Sequence, residues 1–431
     1  MGESDVLDLV IIGGGIGGVI CLKYAKDAGL KVALVERSEG VGGIWRKLPS
    51  WQDIQFRKED WTLGDIPVEG EDQRSICKNI EAWVSHFGLR EFITFNTQVR
   101  CAEHADGLWC LQTSQKTYHS RYLVDATGGH VRPVIPPVQR RDSKVLEFHS
   151  STLANPEVLT GATVTIVGGG ASAYDLLDLC MQKQAAHVVW VHRSLKWMLP
   201  TRKQKHFATN MRELGKRQLM GVSIDRMNRV VGSLLTKLYR KAGLAEILPK
   251  ERFDFRRHQF IPGRRDMIKN FQRIERHPGQ IQAVSGNSVQ ASDSTQFDTD
   301  IIIWATGYEL DLSHYQIPAI AQLKRLEDLQ GRCGGLCKSL DAPQLYFLAP
   351  GVLETSGATP FAYAHLCKSI MAELQGFEVF DQPTTKHHVN YLDLVKFLAR
   401  RDAKNYGFFW YIRYLTMFFR FGNSSRPLPL P

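Results

Sequence analysis

Two apolar runs in this chain, about 155 residues apart, each end in a glycine-rich turn. They read DLVIIGGGIGG (8–18) and ATVTIVGGGASA (162–173). Each run predicts a buried strand, and the residues after each turn predict a helix that leads to a second apolar run, at 32–35 and at 187–191. The strand, turn, helix and strand recur in the same order. The pattern therefore predicts an α/β protein with two Rossmann-like units.

The first turn has the spacing of a dinucleotide-binding fingerprint. Gly13, Gly15 and Gly18 would permit a tight turn, close approach of a pyrophosphate and close helix–strand packing. The helix that follows would offer free N–H groups to the phosphates. Glu36 stands near the end of the second strand, where an acidic side chain accepts hydrogen bonds from a ribose. These four residues predict a dinucleotide site for FAD.

The second turn differs in the residue that follows its second strand. Gly168, Gly170 and Ala173 match the fingerprint, since alanine is accepted at the third position, and Ser172 lies among the predicted contacts. Arg193 stands where the first unit has its acid, and an arginine there can pair with a 2′-phosphate. The second site is therefore predicted to bind NADPH.

The order of elements predicts that the NADP-binding domain is inserted into the FAD-binding domain. The FAD-binding domain is expected at 1–155 and again at 279–376, and the NADP-binding domain with a basic helical insertion at 156–278. A helical extension is expected at 377–431. Two dinucleotides in one chain imply electron transfer between them.

Composition and charge narrow the class of protein further. The net charge of +10 arises mostly between Arg202 and Arg276, and suits a polyanionic dinucleotide; no motif for nucleic acid accompanies it. The acidic N-terminus is unlike a secretory signal, and the eight cysteines are scattered, so a cytoplasmic protein with reduced thiols is expected. The close pair Cys333 and Cys337, in CGGLC, is interpreted as two reduced thiols in a loop.

The stretch 406–423, YGFFWYIRYLTMFFRFGN, is unusually aromatic. It is too short and too charged to span a membrane. Two interpretations stay open: a helix packed on the domains, which is favoured, and an interfacial helix that makes peripheral contact with a membrane surface.

Several further motifs resemble those of the flavin-containing monooxygenase family, the class B flavoprotein monooxygenases. The matching residues follow the family's order over most of 6–375. They include both glycine turns, Glu36 and Arg193. The further matches are Gly42-Gly43-x-Trp45, Ile54-Gln55, Asp65-Ile66-Pro67, Ala126-Thr127-Gly128 with Pro133, His149-Ser150, Asp175, and Ala305-Thr306-Gly307-Tyr308. One fingerprint of the family, FxGxxxH with a trailing aromatic, is degraded. Ser143, Val145 and Leu153 replace its phenylalanine, glycine and aromatic residue.

The resemblance implies an FAD- and NADPH-dependent monooxygenase acting on a small molecule with O₂. It implies that NADPH reduces FAD and that a C4a-hydroperoxyflavin then oxygenates a nitrogen or sulfur atom. It adds Gly43, Trp45, Thr127, Gly128, Thr306 and Gly307 as cofactor contacts. Gln55 best matches the amide that family members place near the flavin; the alternative is a structural loop amide. No acid–base role is predicted for His149.

Three other functions stay open. The first is ketone oxygenation of the Baeyer–Villiger kind, which the degraded fingerprint disfavours. The second is an NADPH-dependent flavoprotein reductase without oxygenation, which would need a redox dithiol beside the flavin. The third is a catalytically idle flavoprotein that serves as a binding module, against which the intact glycines of both turns argue.

Overall fold

A computed structural model of the protein describes residues 6–52, 61–63, 66–201, 221–254, 258, 261–334, 337–348, 359–376, 409 and 412. Within these ranges the strands, in chain order, are β1 (Leu7–Ile12), β2 (Val32–Val35), β3 (Thr62–Leu63), β4 (Ile66–Pro67), β5 (Ile93–Thr94), β6 (Val99–Ala105), β7 (Leu108–Thr113), β8 (Thr117–Asp125), β9 (Arg132–Pro133), β10 (Gln139–Arg141), β11 (Leu146–His149), β12 (Thr163–Val167), β13 (His187–His192), β14 (Ile274–Pro278), β15 (Ile281–Ser285), β16 (Ser288–Ala291), β17 (Gln296–Asp298), β18 (Ile301–Trp304), β19 (Tyr308–Glu309), β20 (Cys333–Gly334), β21 (Lys338–Ser339) and β22 (Leu345–Phe347). The α-helices are α1 (Ile16–Asp27), α2 (Gln73–His86), α3 (Ala171–Gln182), α4 (Ile224–Lys241), α5 (Arg265–Lys269), α6 (Pro318–Ala321), α7 (Leu326–Gln330) and α8 (Thr359–Leu374).

The first sheet is centred on β1. Its strand order is β20-β21-β22-β8-β1-β2-β5, and β6 and β7 extend it through β8. β1 pairs in parallel with β2 and with β8, so that Ile12 lies opposite both Val35 and Asp125. Leu9 to Ile12 are buried, as expected for a parallel strand covered on both faces. α1 and α8 pack together over one of these faces.

The second sheet has five parallel strands in the order β11-β18-β12-β13-β14. α3 links β12 to β13 and packs against α5. The Asp178 carboxylate accepts a 2.7 Å hydrogen bond from the backbone N–H of Met267, which ties these two helices together. Burial raises the pKa of Asp178. A small sheet in the order β10-β15-β16-β17 covers the other face of the five strands.

A two-stranded ribbon joins the segments that leave the two large sheets. β9 follows β8 and β19 follows β18, and the two pair antiparallel, with Pro133 opposite Tyr308. The backbone N–H of Val134 donates to the carbonyl of Gly307 at 3.0 Å. The ribbon therefore brings the carboxyl ends of the central strands of both sheets close together.

Most predicted elements are confirmed, and two need correction. The sequence predicts a helix from Arg74 to Phe87, and this helix is α2, which begins after the Asp72 cap. It also predicts a strand over Ile93–Val99, which is wrong in extent: β5 ends at Thr94, and Asn96 adopts a positive φ of 52° that ends the extended chain. The basic region to Arg276 ends in a strand, β14, rather than in a helix. Residues 202–220 of that region lie outside the described residues.

Two strands join the second sheet from beyond the predicted NADP-binding segment. β11 and β18 fall within the segments assigned to the FAD-binding domain, yet both lie in the sheet of β12. The domain boundaries stay a prediction. Of the aromatic stretch 406–423, only Phe409 and Ile412 are described; both are helical and exposed to solvent. Among the described helices, none is long and apolar enough to cross a membrane.

Candidate cofactor and active site

The first glycine turn has the tight geometry that its sequence predicts. Gly13 has a φ of 102°, and a Cβ atom there would lie 2.7 Å from the carbonyl oxygen of Ala126. A Cβ atom on Gly18 would lie 1.9 Å from the carbonyl oxygen of Gly13. Neither position has room for a side chain. The turn delivers Gly15 to the N-terminus of α1, whose free N–H groups and positive dipole end suit a phosphate.

Glu36 lies directly over this turn. Its Oε2 accepts a 2.5 Å hydrogen bond from the backbone N–H of Gly14, and its Oε1 accepts one of 2.7 Å from Ser38. The side chain is buried, yet it lines the cleft that opens at the turn. Both carboxylate oxygens keep a further lone pair, because each accepts one bond and can accept two. Glu36 is therefore held where it could receive the hydroxyl groups of a ribose.

Gly43 closes the turn from the opposite side. A Cβ atom on Gly43 would lie 2.9 Å from the Cα of Gly15, and its φ of 56° also favours glycine. The segment Gly43–Arg46 is a short 3₁₀ helix that carries Trp45 to the wall of the cleft. Trp45 is half-buried and meets Trp61 edge-to-face with ring centroids 5.9 Å apart. It therefore serves both as a packing residue and as part of the cleft wall.

Thr127 and Gly128 form the next part of the wall, directly after β8. Thr127 donates from its backbone N–H and its hydroxyl to one oxygen of Asp125, at 3.0 and 2.6 Å. The other oxygen accepts a 2.9 Å bond from the hydroxyl of Tyr315. Burial alone would raise the pKa of Asp125, but the imidazole of His314, whose Nε2 lies 3.5 Å from Oδ2, and the hydrogen bonds from Thr127 hold the pKa below its ordinary value. The buried carboxylate is thus charged and fixes the segment over the glycine turn.

The cleft has a volume of about 680 Å³ and runs from Glu36, past Trp45, to Ser151 and Tyr308 at the ribbon between the sheets. A glycine cradle without room for side chains, a buried carboxylate and a helix N-terminus fit an extended dinucleotide. The far end lies where the two predicted cofactors would have to meet.

The second glycine turn repeats the geometry of the first. Gly168 has a φ of 134°, and a Cβ atom there would lie 2.2 Å from the carbonyl oxygen of Ala305. Gly170 begins α3 with open space above its Cα. Ser172 is half-buried and Ala173 fully buried in the first turn of α3. The predicted contacts of the second site are thus brought together at one helix N-terminus.

The internal repeat extends beyond the two turns. Gly13 packs on Ala126 and Gly168 packs on Ala305, and each alanine begins an Ala-Thr-Gly tripeptide. The backbone N–H of each alanine donates at 2.8 Å to the last residue of the preceding parallel strand, Ile12 or Val167. Sequence reasoning treated the tripeptides as separate motifs. Their recurrence was the signal that they are equivalent parts of the two units.

Arg193 follows β13 at the carboxyl edge of the second sheet, as predicted. Its side chain is exposed and makes no hydrogen bond or ion pair within the described part of the chain. The nearby Lys196 is also exposed, and its backbone N–H donates at 3.0 Å to Gly169 in the turn. Both cations lie beside the turn, on the side where a 2′-phosphate would extend.

Thr306 and Gly307 lie at the ribbon. The hydroxyl of Thr306 donates to the carbonyl of Val134, and the carbonyl of Gly307 lies 3.1 Å from Nε2 of His149. Nδ1 of His149 accepts from the backbone N–H of Ser151, so Nε2 carries the proton and donates. Burial lowers the pKa of His149. The imidazole is therefore a neutral structural link, which agrees with giving it no acid–base role.

Gln55, the predicted catalytic residue, lies outside the described residues. So do Arg202 and Lys203, two cations that the sequence places near Arg193. The described residues on either side, Trp51 and Trp61, both pack into the core, and Trp51 donates from Nε1 to the carbonyl of Leu153 at 2.8 Å.

Residues 10–210 match the family model described as pyridine nucleotide-disulphide oxidoreductase. An uncharacterized CzcO-like oxidoreductase of Geobacillus kaustophilus is 23% identical over 74% of this chain and 85% of that protein. Flavin-containing monooxygenase 5 of Cavia porcellus is 26% identical over 70% of this chain and 62% of its own length. The chain thus spans less than two thirds of the mammalian monooxygenase that it matches.

Solved structures agree in fold. OTEMO in complex with FAD and NADP superposes with a TM-score of 0.67 and 16% identity, over 93% of this chain and 98% of that one. A flavin-containing monooxygenase from Stenotrophomonas maltophilia superposes with a TM-score of 0.61 and 15% identity, over 86% and 99%. The expected fold class, α/β with two dinucleotide-binding units, is confirmed. The resemblance to the flavin-containing monooxygenases is likewise confirmed.

Proposed function

We propose that this protein is an oxidoreductase of the flavin monooxygenase type, which uses FAD, NADPH and O₂ to oxygenate a small organic molecule at nitrogen or sulfur. The observation that carries the proposal is the pair of equivalent glycine turns whose segments converge at one ribbon. An Ala-Thr-Gly segment packs against each turn. The cleft that begins at Glu36 ends at Tyr308, which lies in the segment that follows β18 of the second sheet. The expected cofactors match those bound in the OTEMO structure.

The residues present fit the two cofactors in different ways. Glu36 and the N-terminus of α1 would hold the adenosine ribose and the pyrophosphate of FAD. The N-terminus of α3 and Arg193, which has no ion-pair partner among the described residues, would hold NADPH. When bound, the flavin supplies the oxygen chemistry, and the chain positions it and shields it from water. Tyr308 lines the cleft at the ribbon and packs edge-to-face on the neutral His149 behind it, with ring centroids 5.0 Å apart.

Attack on nitrogen or sulfur is favoured over ketone oxygenation because the Baeyer–Villiger fingerprint is degraded. Leu153, at the position of the trailing aromatic residue, is 1% exposed and packs into the core of the second sheet. It does not line the cleft. Because Leu153 packs away from the cleft, its position does not support a contact with the substrate.

The reductase alternative is disfavoured by the cysteines, all eight of which are described and free. None of them lines the cleft of the first site. Cys333 lies in β20 and Cys337 in the turn before β21. Both are buried, and burial raises the pKa of Cys333 to about 12. A thiol of that kind remains protonated at neutral pH and is a poor nucleophile.

The test is oxygen incorporation under isotopically labelled O₂ with NADPH and a panel of tertiary amines, thioethers and ketones. Each turnover consumes one NADPH, one proton and one O₂, transfers one oxygen atom to the substrate and releases the other as water. We expect one labelled oxygen in an amine or thioether product and none in a ketone. Oxidation of NADPH without labelled product from any class would contradict the oxygenase. Cytoplasmic localisation and membrane contact through 406–423 stay predictions.

A further inference from the structure

Three cationic side chains line the first cleft without an acidic partner. Arg37, Lys47 and Arg100 all belong to its wall, and within the described part of the chain none of them forms a hydrogen bond or an ion pair through its side chain. Neighbouring cations behave differently. Arg46 pairs with Glu39 at 2.8 Å, and Arg132 with Asp311 at 3.4 Å.

Two acidic side chains of the cleft wall, Glu36 and Asp311, offset part of the charge of these three cations. Glu36 is engaged by two backbone N–H groups over the glycine turn. Asp311 accepts a 2.7 Å hydrogen bond from the hydroxyl of Ser313 in addition to its pairing with Arg132. The cleft wall therefore carries an excess of positive charge that suits an anion.

Arg37 and Lys47 are close enough to repel each other. Burial lowers the pKa of Lys47, and the charge of Arg37 lowers it further, while Glu36 acts in the opposite direction. A bound anion beside Arg37 and Lys47 would relieve this repulsion further than Glu36 does.

The backbone places Lys47 at the phosphate end of the cleft. Gly43 packs on Gly15, which begins α1, and the short 3₁₀ helix that starts at Gly43 ends just before Lys47. The backbone N–H of Lys47 donates at 2.8 Å to Ile44 in that helix. The base of Lys47 is thus fixed one turn away from the glycine contact, and Lys47 lines the same cleft as Gly15 and Ile16 at the N-terminus of α1.

We propose that Lys47, together with Arg37, binds the pyrophosphate of the dinucleotide in the first cleft. The glycine fingerprint offers only backbone N–H groups and a helix dipole, whereas two cationic side chains would neutralise the two negative charges of a pyrophosphate. This inference rests on the proposed function, because it presumes that FAD occupies the cleft.

The experiment measures FAD affinity by fluorescence titration of the full chain freed of flavin, at low and at high ionic strength. Lys47→Gln should weaken FAD binding by roughly tenfold at low ionic strength, the loss expected for one hydrogen bond to a charged group. Its affinity should also depend less steeply on salt than that of the wild type, since a screened charge contact is lost. Lys47→Arg should restore most of both. Lys144→Gln, which removes an exposed lysine outside the cleft wall, is the matched control and should change neither.

The outcomes separate this inference from the proposed function. Wild-type protein that does not bind FAD contradicts the function itself. If the wild type binds FAD and Lys47→Gln binds it with the same affinity and the same salt dependence, the proposed role of Lys47 is wrong. Equal loss in Lys47→Gln and Lys47→Arg also overturns it, because a purely structural effect would not distinguish charge. If Lys47→Gln fails to fold, Arg37→Gln carries the same test with the same expected loss.

Discussion

The Oε2 of Glu36 accepts a 2.5 Å hydrogen bond from the backbone N–H of Gly14, so the acid that ends the second strand also holds the first glycine turn. One side chain thus links the predicted ribose position to the predicted phosphate position. Its second oxygen accepts from Ser38 at 2.7 Å, which fixes the orientation of the carboxylate.

Glu36→Ala should therefore impair both FAD affinity and stability. Two backbone N–H groups would lose their partner, at a cost of about 1–3 kcal/mol each where they become buried and unsatisfied. We expect a lower urea midpoint of the flavin-free protein and loss of FAD during gel filtration. Glu103→Ala, at an exposed position on β6, is the control. Retention of FAD by Glu36→Ala at the wild-type level would contradict the assigned role.

Gly13→Ala should abolish FAD binding, because the new Cβ atom would lie 2.7 Å from the carbonyl oxygen of Ala126. Gly168→Ala, with its Cβ 2.2 Å from Ala305, should instead spare FAD and abolish flavin reduction by NADPH. Gly29→Ala is the matched control. Gly29 also has a positive φ, of 73°, but has open space around it, so alanine there should cost only about 1–2 kcal/mol of stability. Flavin content and NADPH-driven bleaching of the flavin absorbance measure the three variants.

Arg193→Ala should reduce the preference for NADPH over NADH. The exposed guanidinium has no partner among the described residues, so its removal should leave the fold intact and cost roughly tenfold in affinity for NADPH. Affinity for NADH should hardly change. Stopped-flow reduction of the flavin by each nucleotide gives the ratio, with Arg141→Ala, an exposed residue of β10, as the control. An unaltered ratio of NADPH to NADH reduction would mean that another cation binds the 2′-phosphate.

Gln55→Leu should separate reduction from oxygenation. The resemblance places this amide near the flavin, where it would help to keep the site polar and ordered until substrate arrives. We expect nearly normal flavin reduction by NADPH, more hydrogen peroxide and less oxygenated product per NADPH. Gln52→Leu is a comparison in the same stretch. Normal product per NADPH in Gln55→Leu would show a loop residue without a role in coupling.

Glu147→Gln should destabilise the protein only where Glu147 is charged. The carboxylate accepts two bonds from Arg140, at 2.7 and 2.8 Å, and one of 2.8 Å from Nε1 of Trp304. The hydrogen bonds from Arg140 lower the pKa of Glu147 below its ordinary value of 4.5, although burial opposes the shift. Its stabilisation is present above pH 4.5 and is lost as the pH falls through the lower folded-state pKa.

The variant should therefore lose about 1–2 kcal/mol of unfolding free energy at neutral pH, and the difference from wild type should close in acid. Urea denaturation across this pH range, with Glu103→Gln as the control, measures it. A difference between Glu147→Gln and wild type that stays constant with pH would contradict the ionic contribution.

Sequence reasoning located the two turns because their requirements are local. Gly13 and Gly168 need positive φ angles, and the strands before them need apolar side chains, so both features are visible in a short window. Glu36 and Arg193 were found from their place after the second strand of each unit. The extent of the strand near Thr94 was misjudged, because its end depends on the left-handed conformation of Asn96, which no apolar pattern records.

Contacts between distant segments were not predicted. Lys47 and Arg100 lie far apart in the sequence, and only the fold places them on one cleft wall with Arg37. Gln55 lies outside the described residues, and its role stays a prediction.

The sequence by itself determined the two dinucleotide-binding units, their order and the different residues that follow each second strand. Backbone conformation and strand burial decide these features, and both depend on residues close in the chain. Only the tertiary structure decided that β11 and β18 join the second sheet, and that Ala126 and Ala305 close on the two turns. Strand pairing and backbone contact of this kind join residues more than a hundred positions apart, so they depend on how the whole chain packs.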